Sequence, residues 1–245
     1  MRFLYVAPRY HTNQVPIIRG LKRKGHEVCF LSQYAGKVED YSDLTPTVIG
    51  YSGFFLFFDR IYMALMKNRD AYAGDRKMKC GFPPIGKLKR AIRDSHGDVA
   101  ILRERSVYSI CAYLLCKKYK IPAILYNQSP LWEDCIKNDP AHRLMRLLTP
   151  TVRMTPVMGV QDGRKVKEPG AAFVPFVMEP EQKAEEKRWI KDSITHIFSI
   201  GKYEERKNHR MLMEIVEELS AVYNIHLTIA GERTTSAHQA YYDRL

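Results

Sequence analysis

Short apolar runs alternate with helix-period segments along this chain, and this alternation constrains the fold more than any other feature. RFLYVA (residues 2–7) has the apolar character of a buried parallel strand. VPIIRGLKRKG then places apolar residues at helical spacing, with lysines in its last turn and Gly25 as its stop. HEVCFLS (residues 26–32) predicts a second strand. Because such strand–helix–strand units build right-handed parallel sheets, the sequence predicts the α/β class.

The same pattern extends over the rest of the chain and divides it into two parts. Four further strands and two helices are predicted up to residue 178, and a charged, helix-prone segment follows. A new strand–helix–strand unit begins with THIFSIG. We therefore predict a Rossmann-like N-terminal domain over residues 1–178, a linker helix over residues 179–192 and an incomplete second Rossmann-like domain over residues 193–245.

Composition narrows the class of protein. Hydrophobic residues make up 45% of the chain, which is ordinary for a globular protein. The sequence contains neither a signal-peptide h-region nor an apolar run of about 18 residues. Its five cysteines form no CxxC pair and mostly lie in apolar stretches, so we expect buried free thiols in a reducing cytosol rather than disulfides or a metal cluster.

The formal net charge of +12 is concentrated between residues 60 and 93, where ten basic residues stand against two acidic ones. This region is either a solvated basic face or a surface that attracts an anionic partner, membrane lipid or nucleic acid. Nucleic acid is the weaker choice, since no recognition motif is present and the basic residues lack interleaved aromatic side chains on which bases could stack.

The segment YSGFFLFFDRIYMALMKNR (residues 51–69) runs into this basic region and is rich in aromatic residues. One interpretation is a buried helix of the N-terminal domain. The other is an interfacial helix, with its aromatic side chains in the headgroup layer and the basic residues of 54–93 on anionic lipid. The second would suit an enzyme that acts on a lipid-linked substrate.

FSIGKYEERKN (residues 198–208) joins an apolar strand to a glycine and then to a basic cluster. A strand that ends in this way is one means of holding a phosphate group. The alternative is a surface turn with solvated charges. The candidate phosphate-binding residues are Gly201, Lys202, Arg206 and Lys207.

Three segments in order, RGLKRKGHEVCFLS, KYKIPAILYNQS and FSIGKYEERKNHRMLMEIVEEL with IHLTIAGE, resemble the GT-B glycosyltransferases, in particular the retaining family four. The resemblance covers essentially the whole chain. It implies two facing Rossmann-like domains, the first binding the acceptor and the second the nucleotide-sugar. The implied activity is transfer of a hexose, with retention, to a glycan or lipid-linked acceptor in polysaccharide biosynthesis, in the cytoplasm or at the inner face of the membrane. No metal or cofactor is implied, because cationic side chains take the place of a divalent ion.

The resemblance also assigns roles to the loop after residue 200. Gly201 and Lys202 stand where the family has a Gly-Arg pair, and Arg206 and Lys207 stand where a lysine contacts the donor phosphates. Lysine in place of arginine at residue 202 keeps the positive charge but loses the bidentate guanidinium fork.

On the acceptor side the chain departs from the family. The first loop, PRYHTNQVP, has no glycine pair, so its donors would be the side chains of Arg9, His11, Asn13 and Gln14. Gln128, preceded by Asn127, stands where the family often has a histidine, and an amide can form hydrogen bonds but cannot exchange a proton. Arg103 and Glu104, at the end of a predicted strand, either line the same cleft or form a buried ion pair.

The family's pair of donor-binding glutamates would follow IHLTIAGE and is not reached by residue 245. We therefore expect a fragment or a shortened family member, which raises a second hypothesis: a non-catalytic lobe that binds an acceptor, a partner or a membrane. An isolated strand–helix–strand unit would leave an open sheet edge, so homodimerisation or partial disorder is expected.

Overall fold

The computed structural model describes residues 1–36, 39–65, 76–78, 80–104, 106–178, 190–233 and 235–245. The chain forms two compact units, one from the described residues up to 178 and one from residue 190 onward. Residues 179–189 of the predicted linker helix lie outside the described residues. At the end of that segment, Ile190–Lys191 form a strand rather than a helix.

The first unit is built on a seven-stranded parallel sheet, which confirms the predicted Rossmann-like α/β fold. The strands are β1 (Arg2–Ala7), β2 (Glu27–Ser32), β3 (Thr47–Val48), β4 (Val99–Arg103), β5 (Ala123–Tyr126), β6 (Trp132–Glu133), β7 (Arg153–Thr155), β8 (Val166–Lys167) and β9 (Ala171–Phe173). In the sheet they lie in the order β3-β2-β1-β4-β5-β7-β9, and the two remaining short strands, β6 and β8, pair antiparallel. The helices of this unit are α1 (Val15–Arg23), α2 (Gly53–Leu65), α3 (Ile85–Asp94), α4 (Val107–Lys118) and α5 (Pro140–Leu148).

Apolar side chains cover both faces of this sheet, as the continuous apolar character of its central strands requires. Alternate residues of β1 enter two different clusters: Leu4 and Val6 belong to one cluster and Tyr5 and Ala7 to the other. The first cluster includes buried residues of α3 and α4, and the second includes Ile18 of α1. The period of two along β1 therefore puts helices on both faces, and the carboxyl edge of the sheet is left for a ligand site.

Over its described residues, helix α2 contradicts the interpretation of residues 51–69 as a buried helix; residues 66–69 lie outside the described residues. Ser52 caps it by accepting a hydrogen bond from the Phe55 N–H, at 3.2 Å. Its one buried residue is the acidic Asp59, which forms ion pairs with Arg76 and, at 3.5 Å, with Lys77. Six of its large apolar side chains are exposed, and Phe55, Leu56 and Met63 are half-buried. Sequence hydrophobicity predicted the helix correctly but not the face that it buries.

All five cysteines are free thiols, as predicted. Their burial is uneven, because only Cys116 is buried and Cys80 and Cys135 are exposed. Burial raises the pKa of Cys116 from 9.0 to about 12. The expectation of mostly buried cysteines was therefore too broad.

The second unit is a three-stranded sheet with two helices. Strand β11 (Ile194–Ile200) lies between β10 (Ile190–Lys191), which is antiparallel to it, and β12 (Ile225–Ala230), which is parallel. Helix α6 (His209–Ser220) connects β11 to β12, and α7 (Ser236–Tyr242) follows β12. This is the predicted strand–helix–strand unit. None of the described helices in either unit is long and apolar enough to cross a bilayer.

Candidate functional site

A cavity of about 910 Å³ opens at the carboxyl ends of β4 and β5 in the first unit. Four of the side chains predicted from the sequence line it together: Arg103, Glu104, Asn127 and Gln128. The register of the parallel strands explains this, because Arg103 pairs with Tyr126 and the two chains leave the sheet side by side. The predicted cleft residues at these two strand ends are thus brought to one edge.

Glu104 is held from two sides. Its carboxylate accepts a hydrogen bond from the Arg153 Nε, at 2.9 Å, and another from the Asn127 Nδ2, at 3.1 Å. The side chains of Arg153 and Glu104 are only 8% and 13% exposed. Both alternatives for Glu104 are therefore realised, since it lines the cavity and also forms a buried ion pair. Its partner is Arg153 rather than Arg103.

Sequence reasoning missed Arg153 as a cavity residue. It lies on β7 and also donates hydrogen bonds to the carbonyl groups of Thr149 and Thr151. One signal was present in the sequence: a charged residue in the middle of a short strand, TVRMT, needs a buried partner. The partner itself lies 49 residues earlier and is brought there only by the sheet order.

Arg103, Tyr126 and Gln128 form a second polar group on the cavity. The Arg103 Nη2 donates to the Gln128 Oε1 at 3.0 Å, and its guanidinium lies 4.8 Å from the centre of the Tyr126 ring. The Gln128 Nε2 donates to the Tyr126 hydroxyl at 3.1 Å. Burial raises the pKa of Tyr126, so this group consists of a neutral phenol, an amide and a cation. Such a set can bind hydroxyl groups but contains no side chain that exchanges protons near neutral pH.

The far wall of the cavity carries charges of both signs, most of them paired. Arg146 of α5 forms an ion pair with Glu168 at 2.9 Å, and Lys137 lies 3.5 Å from Glu133. The Lys137 Nζ also lies 3.4 Å from the Ser129 hydroxyl. Paired charges and hydroxyl groups thus stand beside apolar side chains such as Ile110 and Leu144 in the cavity lining, a combination that is usual for sites that bind small organic ligands.

The loop after β1 carries four predicted acceptor-side residues, Arg9, His11, Asn13 and Gln14, and several of them have partners within the protein. Arg9 forms an ion pair with Glu39 at 2.8 Å. His11 and Gln14 cap a short 3-10 turn: the Gln14 side chain accepts from the His11 N–H and the His11 Nδ1 accepts from the Asn13 N–H. Asn13 and Gln14 line a small separate pocket that Tyr126 also lines. None of the four lines the large cavity. Tyr126 lines the small pocket and contacts Arg103 and Gln128, which line the large cavity.

In the second unit, two glycines meet where β11 and β12 end. A Cβ atom on Gly231 would lie 1.7 Å from the Gly201 carbonyl oxygen, so only glycine fits this contact. The aliphatic part of the Lys207 side chain lies over Gly201, about 3.4 Å from where a Cβ atom would stand. The two strand ends are thus in close contact, and the side chain of one predicted cation, Lys207, covers Gly201.

The four basic side chains of this edge are not equivalent. Arg206 is paired with Glu204, and Arg244 with Glu205. Lys202 and Lys207 form no ion pair with any residue that the structure describes. The loop is anchored by the buried His209, whose Nε2 donates to the Lys202 carbonyl oxygen at 3.1 Å. Lys202 and Lys207 are therefore the cations most available to an anionic ligand.

Within the described part of the chain, no group of three or more His, Cys, Asp or Glu residues could hold a metal ion. No protein-family model matches the sequence, and a comparison with curated proteins finds no relative.

Comparison with solved structures finds similar folds at low sequence identity. The glycotransferase of kitacinnamycin matches with a TM-score of 0.54 and 16% identity over 96% of this chain and 67% of its own. A trehalose-6-phosphate synthase matches with a TM-score of 0.53 and 14% identity over 100% of this chain and 67% of its own. A protein described as a UDP-N-acetylglucosamine 2-epimerase from Listeria monocytogenes matches with a TM-score of 0.50 and 11% identity over 100% of this chain and 65% of its own.

These matches support a GT-B fold, and at such identities they show the fold alone. This chain spans about two thirds of the length of each of the three structures.

Proposed function

We propose that this protein is a glycosyltransferase, or the acceptor-binding part of one, that moves a hexose from a nucleotide-sugar to a glycan or lipid-linked acceptor. The observation that carries the proposal is a cavity, lined in part by charged and amide side chains, at the carboxyl edge of a parallel sheet in a chain whose fold is shared with glycosyltransferases. On this proposal residues 1–178 bind the acceptor, residues 179–192 link the domains and residues 193–245 begin the donor-binding domain.

On the donor side, Lys202 and Lys207 would bind the diphosphate. Breaking the glycosidic bond leaves negative charge on the diphosphate, and fixed cations stabilise that charge in the transition state. Gly231 lets the two strand ends pack closely, and Gly201 lies beneath the Lys207 side chain, so the phosphate would bind beside this pair of glycines. Arg206 would contribute only after leaving Glu204, so we assign it a weaker role. These cations would replace a divalent metal ion.

On the acceptor side, the cavity is large enough for one or more sugar rings, since ligand pockets commonly measure about 300–1,000 Å³. Arg103 and Gln128 would contact acceptor hydroxyl groups, while Arg153 and Asn127 hold Glu104 at the cavity wall. Retention of configuration rests on the resemblance to family four. The similar trehalose-6-phosphate synthase, whose structure concerns glycosyl transfer with retention, is in keeping with it.

A non-catalytic binding lobe is the second candidate, and two observations favour it. Glu204 and Glu205 neutralise two of the four cations at the donor edge, which lowers its attraction for a diphosphate. Gln128 also stands where a proton-exchanging imidazole would be expected.

Calorimetric titration with UDP, GDP and ADP separates the two candidates. A donor-binding protein binds at least one of them, and Lys207→Ala weakens that binding about tenfold or more, because a charged hydrogen bond is worth roughly 1.5–3 kcal/mol. Arg210→Ala is the matched control, since Arg210 is an exposed cation of α6 engaged with Glu214. Absence of binding to all three nucleotides, or equal affinity in Lys207→Ala, would contradict the donor-binding function.

Product analysis then identifies the reaction. Incubation with nucleotide-sugars and candidate glycan acceptors, followed by NMR, distinguishes a new glycosidic bond from 2-epimerisation of the donor sugar. Epimerisation of the donor sugar would mean that the protein is an epimerase, and it would overturn the transferase proposal.

A further inference from the structure

Helix α2 exposes its most apolar stripe. Phe54, Phe57 and Leu65 are 73%, 60% and 78% exposed, and Phe58, Ile61 and Tyr62 are also more than two fifths exposed. These residues recur at helical spacing, so they form one continuous face rather than scattered positions. A contiguous exposed patch of six large apolar side chains is unusual for a surface that stays in water and marks an interaction site.

The opposite face of α2 explains why the helix lies this way round. Asp59 is buried there and is held by ion pairs to Arg76 and Lys77. Turning the helix so that its apolar stripe is buried would carry Asp59 to the surface and break both of its ion pairs. Arg76 and Lys77 would then lose the carboxylate that they share. The ion-paired carboxylate therefore fixes the apolar stripe outward.

Positive charge borders the stripe on both sides. Arg60 is exposed on one flank of the same helix. On the other flank, the Arg76 guanidinium lies 4.0 Å from the centre of the Tyr62 ring. Among the described residues, Asp59 forms ion pairs with both Arg76 and Lys77, so these three side chains together carry one formal positive charge.

The apolar surface continues beyond α2 towards α3. The Ser52 N–H donates to the Phe82 carbonyl oxygen at 2.8 Å, which brings the start of α2 next to the segment before α3. Phe82 and Ile85 are both 38% exposed. Helix α3 then adds four exposed basic side chains: Lys87, Lys89, Arg90 and Arg93. Apolar side chains and cations therefore occupy neighbouring positions on one surface.

We propose that α2, residues 53–65, docks the first unit on the surface of an anionic lipid bilayer. Its aromatic stripe enters the headgroup layer, and Arg60, Arg76 and the cations of α3 contact acidic headgroups. Charge complementarity selects this occupant, because a bilayer carrying acidic lipid offers both the apolar layer and the negative surface that this patch matches. At about 1.5 Å per residue the 13-residue helix is too short to cross a bilayer, so it lies in the plane of the interface.

The test is co-sedimentation of the full chain with vesicles of phosphatidylcholine alone and of phosphatidylcholine with about 30% phosphatidylglycerol. We expect binding to the acidic vesicles at low salt, and a marked loss near 0.5 M salt, where charges are screened over about 4 Å. This assay needs no nucleotide, so its outcome is independent of the proposed transferase activity. Absence of binding to acidic vesicles at low salt would overturn the proposal.

Two variants test the apolar contribution. Phe57→Ser combined with Ile61→Ser removes two exposed side chains and should weaken vesicle binding about tenfold or more. The single change Leu65→Ser should weaken vesicle binding less than the double variant does. Its matched control is Leu147→Ser, because Leu147 on α5 is 75% exposed and Leu65 is 78% exposed. Equal binding by wild type and the double variant would contradict insertion of this helix. Circular dichroism establishes that each variant is folded.

A second copy of this chain is the rival occupant. Sedimentation velocity decides between the two: a concentration-dependent dimer that the double variant abolishes, together with no vesicle binding by the wild type, would assign the stripe to self-association. A monomer that binds acidic vesicles supports the bilayer.

Discussion

The Arg153 guanidinium lies 2.9 Å from the Glu104 carboxylate and ties β7 to the carboxyl end of β4 across the intervening β5. This contact closes the wall of the large cavity with a pair of nearly buried charges. Asn127, at the end of β5, donates to the same carboxylate. Three strand ends are thus joined at one acidic group, so the shape of the cavity depends on that group.

Arg153→Met should therefore destabilise the first unit. It keeps the aliphatic stem but leaves the Glu104 carboxylate without its cation, at a cost of about 3 kcal/mol. Urea unfolding followed by circular dichroism measures the loss. Arg93→Ala, which removes an exposed ion pair with Asp94, should leave the free energy of unfolding unchanged. Equal effects from the two changes would contradict a special role for the Glu104 pair.

Gly231→Ala should damage the donor edge. A Cβ atom at this position would overlap the Gly201 carbonyl oxygen, so the two loops must separate. We expect a lower free energy of unfolding and weaker nucleotide binding. Gly20→Ala is the contrasting change: no atom lies within 4 Å of its Cβ, and alanine in helix α1 should stabilise by about 1 kcal/mol. Thermal melts and nucleotide titration compare the two.

Lys202→Arg should tighten binding of a nucleoside diphosphate. Lysine provides a point charge at this position, whereas the guanidinium of arginine can donate two parallel hydrogen bonds to one phosphate. The gain should be a few-fold in Kd by calorimetry and should shrink as salt is added. A loss of affinity would mean that the residue 202 side chain does not face the phosphates.

Thiol labelling should follow the uneven burial of the cysteines. At pH 8 in the native protein we expect fast reaction at Cys80 and Cys135 and none at Cys116, whose pKa burial raises from 9.0 to about 12. Mass spectrometry after alkylation measures this, and unfolding in urea should expose all five thiols. In the unfolded chain the Cys116 thiol ionises near pH 9, whereas in the folded chain its pKa is about 12. Ionisation of the unfolded chain therefore lowers the free energy of unfolding as the pH rises from about 9 towards 12. Fast native labelling of Cys116 would contradict its burial.

Local periodicity was enough to predict the elements that build the sheets. The strands at residues 2–7, 27–32 and 194–200 were found because continuous apolar runs between turn signals permit few other structures. The parallel order then explained why Arg103, Glu104, Asn127 and Gln128 meet at one edge.

Three features escaped prediction because each depends on contacts between distant residues. One of two interpretations expected helix α2 to bury its apolar face. The ion pairs of Asp59 with Arg76 and Lys77, 17 and 18 residues later in the chain, instead leave that face outward. Arg153 lines the cavity and forms an ion pair with Glu104, which lies 49 residues earlier in the chain. Arg9, which was assigned to a cleft by its position, forms an ion pair with Glu39, 30 residues later in the chain.

The seven-stranded sheet ends in very short strands on both sides, β3 with two residues and β9 with three. Few backbone groups at either border are therefore offered to a neighbouring molecule, although the central strands are long and apolar. The brevity of these outer strands therefore disfavours edge-to-edge aggregation of the first unit.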